Sequence, residues 1–181
     1  MDSTQGFALV AAPHLSDPNF MRTVVYVLRH DEEGALGLIL NRPTKVGVNE
    51  LLSQLGEESC CNEEPVYYGG PCDGPLVMLQ SVQVDDHILI AVASDQEQIL
   101  AHCEHGCSDV KFRLFDGYAG WGAEQLESEL SSGDWMVWDV QPNDVFSDAE
   151  ELWGKAVQSI GREVLTRTID PARIPEDPAY N

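Results

Sequence analysis

The amino-acid sequence predicts an α+β fold, a single domain built around a mixed β-sheet with helices interspersed among the strands. Three observations carry this expectation. Short apolar runs rich in β-branched and aromatic residues recur from Phe7 to Val140, each stopped by glycine, proline or a polar cluster. Capped stretches of helical length lie between them without a regular strand–helix–strand rhythm, which argues against a doubly wound parallel sheet. With 181 residues, 43% of them hydrophobic, the chain can bury a core without metal or disulfide support.

The elements follow in order. Phe7–Ala12 reads as a buried strand ended by Pro13, because proline brings no N–H to a sheet ladder. Ser16-Asp17-Pro18 suits one helical turn or a tight bend. Thr23–Arg29 and Ala35–Leu40, joined by the polar, glycine-ended His30–Gly34 connection, form a hairpin that Asn41-Arg42-Pro43 stops. Asn49 caps a short helix Glu50–Leu55, with Gly56 as its stop. A loop through Cys60–Pro65 leads to the strand-like Val66-Tyr67-Tyr68 and the turn Gly69-Gly70-Pro71. Leu76–Gln80 and His87–Ala93 read as strands, Ser94 caps a helix around Asp95–Cys103, and Val110–Phe115 is a further strand. Gly117–Gly122 opens a helix near Ala123–Leu130, and Trp135–Val140 is a strand of the core. Ser147 caps the longest helix, Asp148–Ile160, which Gly161 ends. The domain is expected over residues 1–169, and residues 170–181, with three prolines, form a loosely held tail.

Composition narrows the function classes. Thirty-one acidic against ten basic residues give a net charge of −21, so phosphate backbones and anionic membranes repel the chain unless its cations are concentrated. They are uneven: Arg22, Arg29, Arg42 and Lys45 cluster early, whereas 116–151 holds ten carboxylates and no Lys or Arg. No apolar run approaches the roughly 18 residues of a membrane helix. The start Met1-Asp2-Ser3-Thr4-Gln5 lacks the basic and apolar regions of a secretory signal. Five cysteines, an odd number that includes the adjacent Cys60 and Cys61, fit reduced thiols in a cytoplasmic protein better than a disulfide framework.

Candidate chemistry is thin. Gly117–Gly122 stands where a phosphate cradle would, but no Lys-Ser/Thr follows it and Glu124, Glu127 and Glu129 bring negative charge. His102-Cys103-Glu104-His105-Gly106-Cys107 holds four soft-metal ligands, yet their spacing matches no standard zinc arrangement even with Cys60 or Cys61 added. No Gly-x-Ser-x-Gly elbow occurs, Ser94 reads as a cap, and no catalytic, cofactor-binding or metal residue is assigned. The largest functional share falls to Asp17, Arg22, His30, Asn41 and Arg42 at the strand ends, with Gly69 and Gly70 as the turn that Asn41 and Arg42 would hold. Holding the fold is the preferred reading of this cluster, and binding a small anion is the other.

The order of motifs supplies a family. Pro13-x-Leu15-x-Asp17-Pro18-x-Phe20, Val24-Val25-Tyr26-Val27 with His30, and Gly34-Ala35-x-Gly37-Leu38-Ile39-Leu40-Asn41-Arg42-Pro43 resemble the AlgH/YqgE family, also called DUF179 or UPF0301. Gly69-Gly70-Pro71, then Gly117-Tyr118-Ala119-Gly120-Trp121-Gly122 with Gln125-Leu126-Glu127-x-Glu129-Leu130, and Trp135 resemble its later blocks. The resemblance spans roughly Phe7 to Gly161 and departs at the Cys60–Cys61 loop, the His102–Cys107 segment and the tail. It implies a strongly bent, partly barrel-like mixed sheet surrounded by helices, in cytosolic proteins, and brings no established activity, catalytic residue or cofactor. One branch is named for an association with regulation of alginate production.

Two functional expectations result. The first is a non-enzymatic cytoplasmic protein acting through a protein partner or a small ligand, with any regulatory effect indirect and no direct contact with nucleic acid or membrane. The alternative is a hydrolase-like enzyme using the His30 and Arg42 region for an anionic substrate. The charge argument predicts no mobility shift of duplex DNA at near-physiological ionic strength; a reproducible, salt-sensitive shift would contradict it.

Overall fold

A computed structural model describes residues 3–54, 64–105 and 110–168. The Cys60–Cys61 loop, Gly56, Cys107 and the 170–181 tail lie outside them. The expected α+β class and the curled, half-barrel sheet are what the chain adopts. Strands β1 (Ala8–Ala11), β2 (Val24–Asp31) and β3 (Gly34–Ile39) lead into β4 (Pro43–Gly47) and helix α1 (Val48–Gln54). Then come β5 (Pro65–Tyr68), β6 (Val77–Val84), β7 (His87–Ala93) and α2 (Gln96–His105). The chain continues through β8 (Phe112–Asp116), β9 (Ala119–Gly122), α3 (Gln125–Ser132), β10 (Trp135–Trp138), α4 (Pro142–Val145) and α5 (Ala149–Thr168).

Two five-stranded sheets result, in the orders β10-β1-β2-β3-β9 and β4-β5-β8-β6-β7. The first is antiparallel throughout, and the second is made mixed by the parallel β5–β8 pair. β1 is buried on both faces, so Ala8 and Val10 enter one core and Leu9 and Ala11 another. The first of these cores lies between the sheets, where Leu38, Tyr67, Leu79 and Phe115 meet Leu152 and Ala156 of α5. The second lies under α3 and holds Val25, Ile39, Trp121, Leu126 and Trp135. A third, with Leu52, Met78, Ile99 and Leu114, joins the far face of the second sheet to α1 and α2.

The sheets meet at a corner where two strands cross between them. Past β3 the chain runs through residues 40–42 into β4, and past β8 it runs through residues 117–118 into β9. Gly69 lies between the two crossings: its carbonyl accepts the Ile39 N–H at 2.8 Å and its N–H donates to Asp116 O at 2.8 Å. A Cβ on Gly69 would sit 2.1 Å from Gly117 O, and one on Gly70, whose φ is +155°, would sit 2.2 Å from the Tyr118 carbonyl carbon. Only glycine admits backbone this close.

Several elements differ from the sequence reading. Gly117–Gly122 opens no helix; Ala119 and Trp121 point inward in the strand β9, with exposed Gly120 and Gly122 between them, a period of two that the glycines obscure. α5 runs through Gly154 and Gly161 to Thr168; past Gly154 its stripe continues at Ala156, Val157 and Ile160, whose packing outweighs the roughly 1 kcal/mol that a helical glycine costs, whereas residues 161–166 are exposed. Its cap is Asp148, whose Oδ1 accepts the Glu150 and Glu151 N–H groups, and Asp95 rather than Ser94 caps α2 through the Gln98 N–H. Asn49 lies inside α1, which begins at Val48. β4, with its proline and lysine, and the short α4 were not expected. Among the described residues no helix is long and apolar enough to cross a membrane.

Gly70→Ala is expected to cost about 3 kcal/mol, combining steric overlap with backbone strain. Denaturant unfolding of the variant measures this; a loss under about 1 kcal/mol would mean that the corner relaxes easily.

Candidate functional site

The polar residues at the strand ends separate into three places. The first is the connection between β1 and β2. At the end of β3, Leu40 still donates its N–H to Val24 O at 2.8 Å, but the backbone then turns away toward β4. Asn41 fills the gap with its side chain: Oδ1 accepts the Val24 N–H at 2.9 Å and Nδ2 donates to Arg22 O at 2.9 Å. Arg42 Nη2 donates to Pro18 O at 3.1 Å and Met21 O at 3.2 Å. Asp17 Oδ1 accepts the Asn19 N–H at 2.7 Å, closing a tight turn. Asn41 and Arg42 thus bond to the 18–24 segment rather than to the expected turn at Gly69-Gly70-Pro71, and it is the Arg42 carbonyl that meets Tyr68 N–H. Arg22 adopts φ +56° and places its guanidinium 5.6 Å from the Trp153 ring centroid.

His30 occupies the second place, six residues beyond Val24 along β2 and so roughly 20 Å away. Its ring is buried, and Nδ1 accepts the Thr4 N–H at 3.1 Å, with Thr4 Oγ1 at 3.0 Å. The ring proton therefore sits on Nε2 and is donated to Glu127 Oε1 at 3.0 Å. A histidine–carboxylate pair suits general base chemistry, but here the nitrogen that would take a proton is covered by Thr4. The pair ties the N-terminal residues and β2 to α3. Gly69 and Gly70 form the third place, the corner itself.

Other polar residues play roles that the sequence reading did not assign. Arg113 on β8 is 6% exposed and donates from Nη1 to Leu40 O at 3.3 Å and Val145 O at 2.6 Å, and from Nη2 to Ser147 O. Its guanidinium stacks 4.5 Å from the Tyr67 ring centroid. Burial pulls the Arg113 pKa below its ordinary value, opposed by Tyr67, Glu64 and Asp148, and burial pushes the Tyr67 phenol up. The signal in the sequence was spacing: Arg113 shares a strand face with the fully buried Phe115, so its charge had to be satisfied internally. Glu129 Oε2 accepts both the Trp121 Nε1–H at 2.8 Å and the Trp135 Nε1–H at 2.7 Å, under a triangle that Phe20 completes. Glu127 and Glu129, read from the sequence as charges repelling a phosphate, are fasteners of α3.

Of the His102–Cys107 segment, His102 packs edge-on against Phe112 at 4.9 Å, and burial lowers its pKa. The side chains of Cys103 and His105, with Cys107, Cys60 and Cys61, lie outside the description, and no group of three potential ligands occurs among the described residues. A shallow groove of about 220 Å³ between β10 and α5 carries Lys155 and Arg162. Asp139 and Asp144 share it, and Asp144 pairs with Lys155, so the groove offers no excess of positive charge.

The Glu127 carboxyl is held below its ordinary value of 4.5, first by its own backbone N–H and then, against the cost of burial, by His30. A carboxylate depressed in the folded state contributes stability above its unfolded pKa and loses it as pH falls through the folded value. Glu127→Gln is thus expected to be less stable than the wild type at neutral pH, with the gap closing as the medium is acidified below 4.5. Thermal unfolding across pH tests this; a gap unchanged down to about pH 3 would contradict it.

Comparison with known proteins agrees with the resemblance read from the motifs. The profile of the AlgH-like family DUF179 matches residues 8–165. A UPF0301 protein of Streptomyces coelicolor is 38% identical, covering 100% of this chain and 97% of its own. One from Idiomarina loihiensis is 34% identical, over 91% and 95%. The solution structure of the AlgH protein from Pseudomonas aeruginosa superposes with a TM-score of 0.71 at 32% identity, covering 93% of this chain and 95% of that one. A crystal structure from Corynebacterium diphtheriae gives 0.64 at 25% identity, over 94% and 90%. The shared sequence and the shared two-sheet architecture make this chain a member of the AlgH-like family, DUF179 or UPF0301.

Proposed function

We propose that this protein is a non-catalytic cytoplasmic protein that acts by binding a protein partner, with any regulatory consequence indirect. The observation that carries this reading is where its candidate polar groups are used. Both ends of the Asn41 amide bond to the main chain, Arg42 donates to two carbonyls, and His30 is occupied at both nitrogens. Chemistry on an anionic substrate needs such groups converging on open space, whereas His30 lies near the end of β2 and Arg42 bonds to the segment that precedes its start. The acidic surface supports a partner bearing positive charge.

The test is a thermal-shift screen of purified protein against metabolites and metals, followed by assays of every hit, with His30→Ala and Arg42→Ala alongside. The expected outcome is lower melting temperature in both variants, no turnover, and a stable partner recovered with the native protein. A hit that the protein turns over, and that either substitution abolishes, would replace this reading with the hydrolase-like one.

A further inference from the structure

The β6–β7 hairpin sets its composition against its position. His87–Ala93 is a nearly unbroken apolar run, the pattern of a strand covered on both faces. Yet, among the described residues, β7 ends its sheet and pairs with β6 alone. Alternation puts Ile88, Ile90 and Val92 on one face and Leu89 and Ala91 on the other. Ile90 packs partly on the main core and Ala93 is buried, whereas Ile88 is 40% exposed, Leu89 and Val92 are 51% exposed, and Val84 on β6 is 45% exposed. Large apolar side chains therefore stand in water on both faces of an open edge.

The other three sheet edges carry the protections that natural sheets use. β4 contains Pro43 and Lys45 and lies against α1. β9 is four residues long, glycine at alternate positions, beside α3. β10 is also four residues long and is packed by α3 and α5. β7 runs seven residues in unbroken register with β6 and contains no proline, lysine or bulge. α4 packs beside it without covering those side chains.

Charge indicates what fits. Asp85 and Asp86 form the turn at one end of β7, and Asp95 and Glu97 follow the other end, all exposed. Residues 46–110 include no Lys or Arg, so no cation from this stretch offsets them. A second copy would set carboxylate against carboxylate in either strand direction. An apolar extended segment with basic residues at both ends satisfies the edge hydrogen bonds, both apolar faces and the flanking acids together.

We propose that β7 is a docking edge, at which an extended apolar segment of a protein partner, flanked by Lys or Arg, adds as the next strand of the sheet. This deepens the partner-binding reading above and rests on it. The probe is a synthetic peptide of alternating valine and threonine with lysines at both ends, compared with the same peptide ending in glutamates. Amide hydrogen exchange and fluorescence anisotropy follow binding at low and near-physiological salt. The expected result is protection of β7 amides by the lysine-ended peptide only, with affinity falling as salt rises. Leu89→Lys, at a half-exposed position, should weaken binding about tenfold, and so should the double variant Asp85→Asn, Asp86→Asn, which leaves the apolar edge intact. No protection at β7, equal binding of the glutamate-ended peptide, or a dimer that Leu89→Lys abolishes would each overturn the proposal. A native partner retained equally by wild type and Leu89→Lys would overturn the docking edge alone. Turnover of a small molecule, with no partner recovered by either, would overturn the underlying reading as well.

Discussion

The fold depends on two strands crossing from one sheet to the other side by side. A strand that leaves its sheet abandons its ladder partners, and at this depth water cannot replace them. Gly69 supplies part of the repair by lacing β3 to the end of β8, in space that admits no side chain. Arg113 supplies the rest. Leu40 O, at the point of departure, accepts from its guanidinium, which also reaches Val145 O and Ser147 O where the short α4 ends. One buried cation thus fastens the crossing strand, the second sheet and the helical cover, using carbonyl dipoles and the Tyr67 ring in place of direct carboxylate contact.

The same economy governs the rest of the polar interior. An unpaired buried donor or acceptor costs about 1–3 kcal/mol, so every irregularity of the backbone calls for a side chain to satisfy it. Asn41 imitates a strand residue where β3 turns away, Arg42 holds the loop beside it, and His30 anchors the N-terminal residues to α3. Glu129 accepts from two indoles that would otherwise be buried with unmet N–H groups. These residues look chemical in the sequence because the bent sheet has many strand ends, and strand ends need polar closure.

The β6–β7 hairpin leaves apolar surface open amid acidic charge. The net charge of −21 sets like-charge repulsion against pairing of two copies of the chain at such an edge.

Local chemistry made much of this legible. The β2–β3 hairpin, the strands β1, β5, β7, β8 and β10 and helices α1, α2, α3 and α5 follow from apolar period, β-branching and turn residues, which act within a few residues of chain. Motif order likewise carried the family and, through it, the bent sheet. Other features were settled only by contacts between distant segments. β9 is a strand because Gly34–Gly37 of β3 lies beside it, and α5 continues through Gly154 because the core between the sheets extends beneath it as far as Ile160. The partners of Asn41, Arg42, His30 and Arg113 lie 17 to 97 residues away, a separation across which no local pattern acts. The sequence by itself determined most of the strands and helices, with β4, β9 and α4 the exceptions, and the excess of acidic charge. The tertiary structure alone decided which polar groups close the corner and that an apolar strand ends at an open edge, because both depend on which backbone groups the crossing leaves without a neighbour.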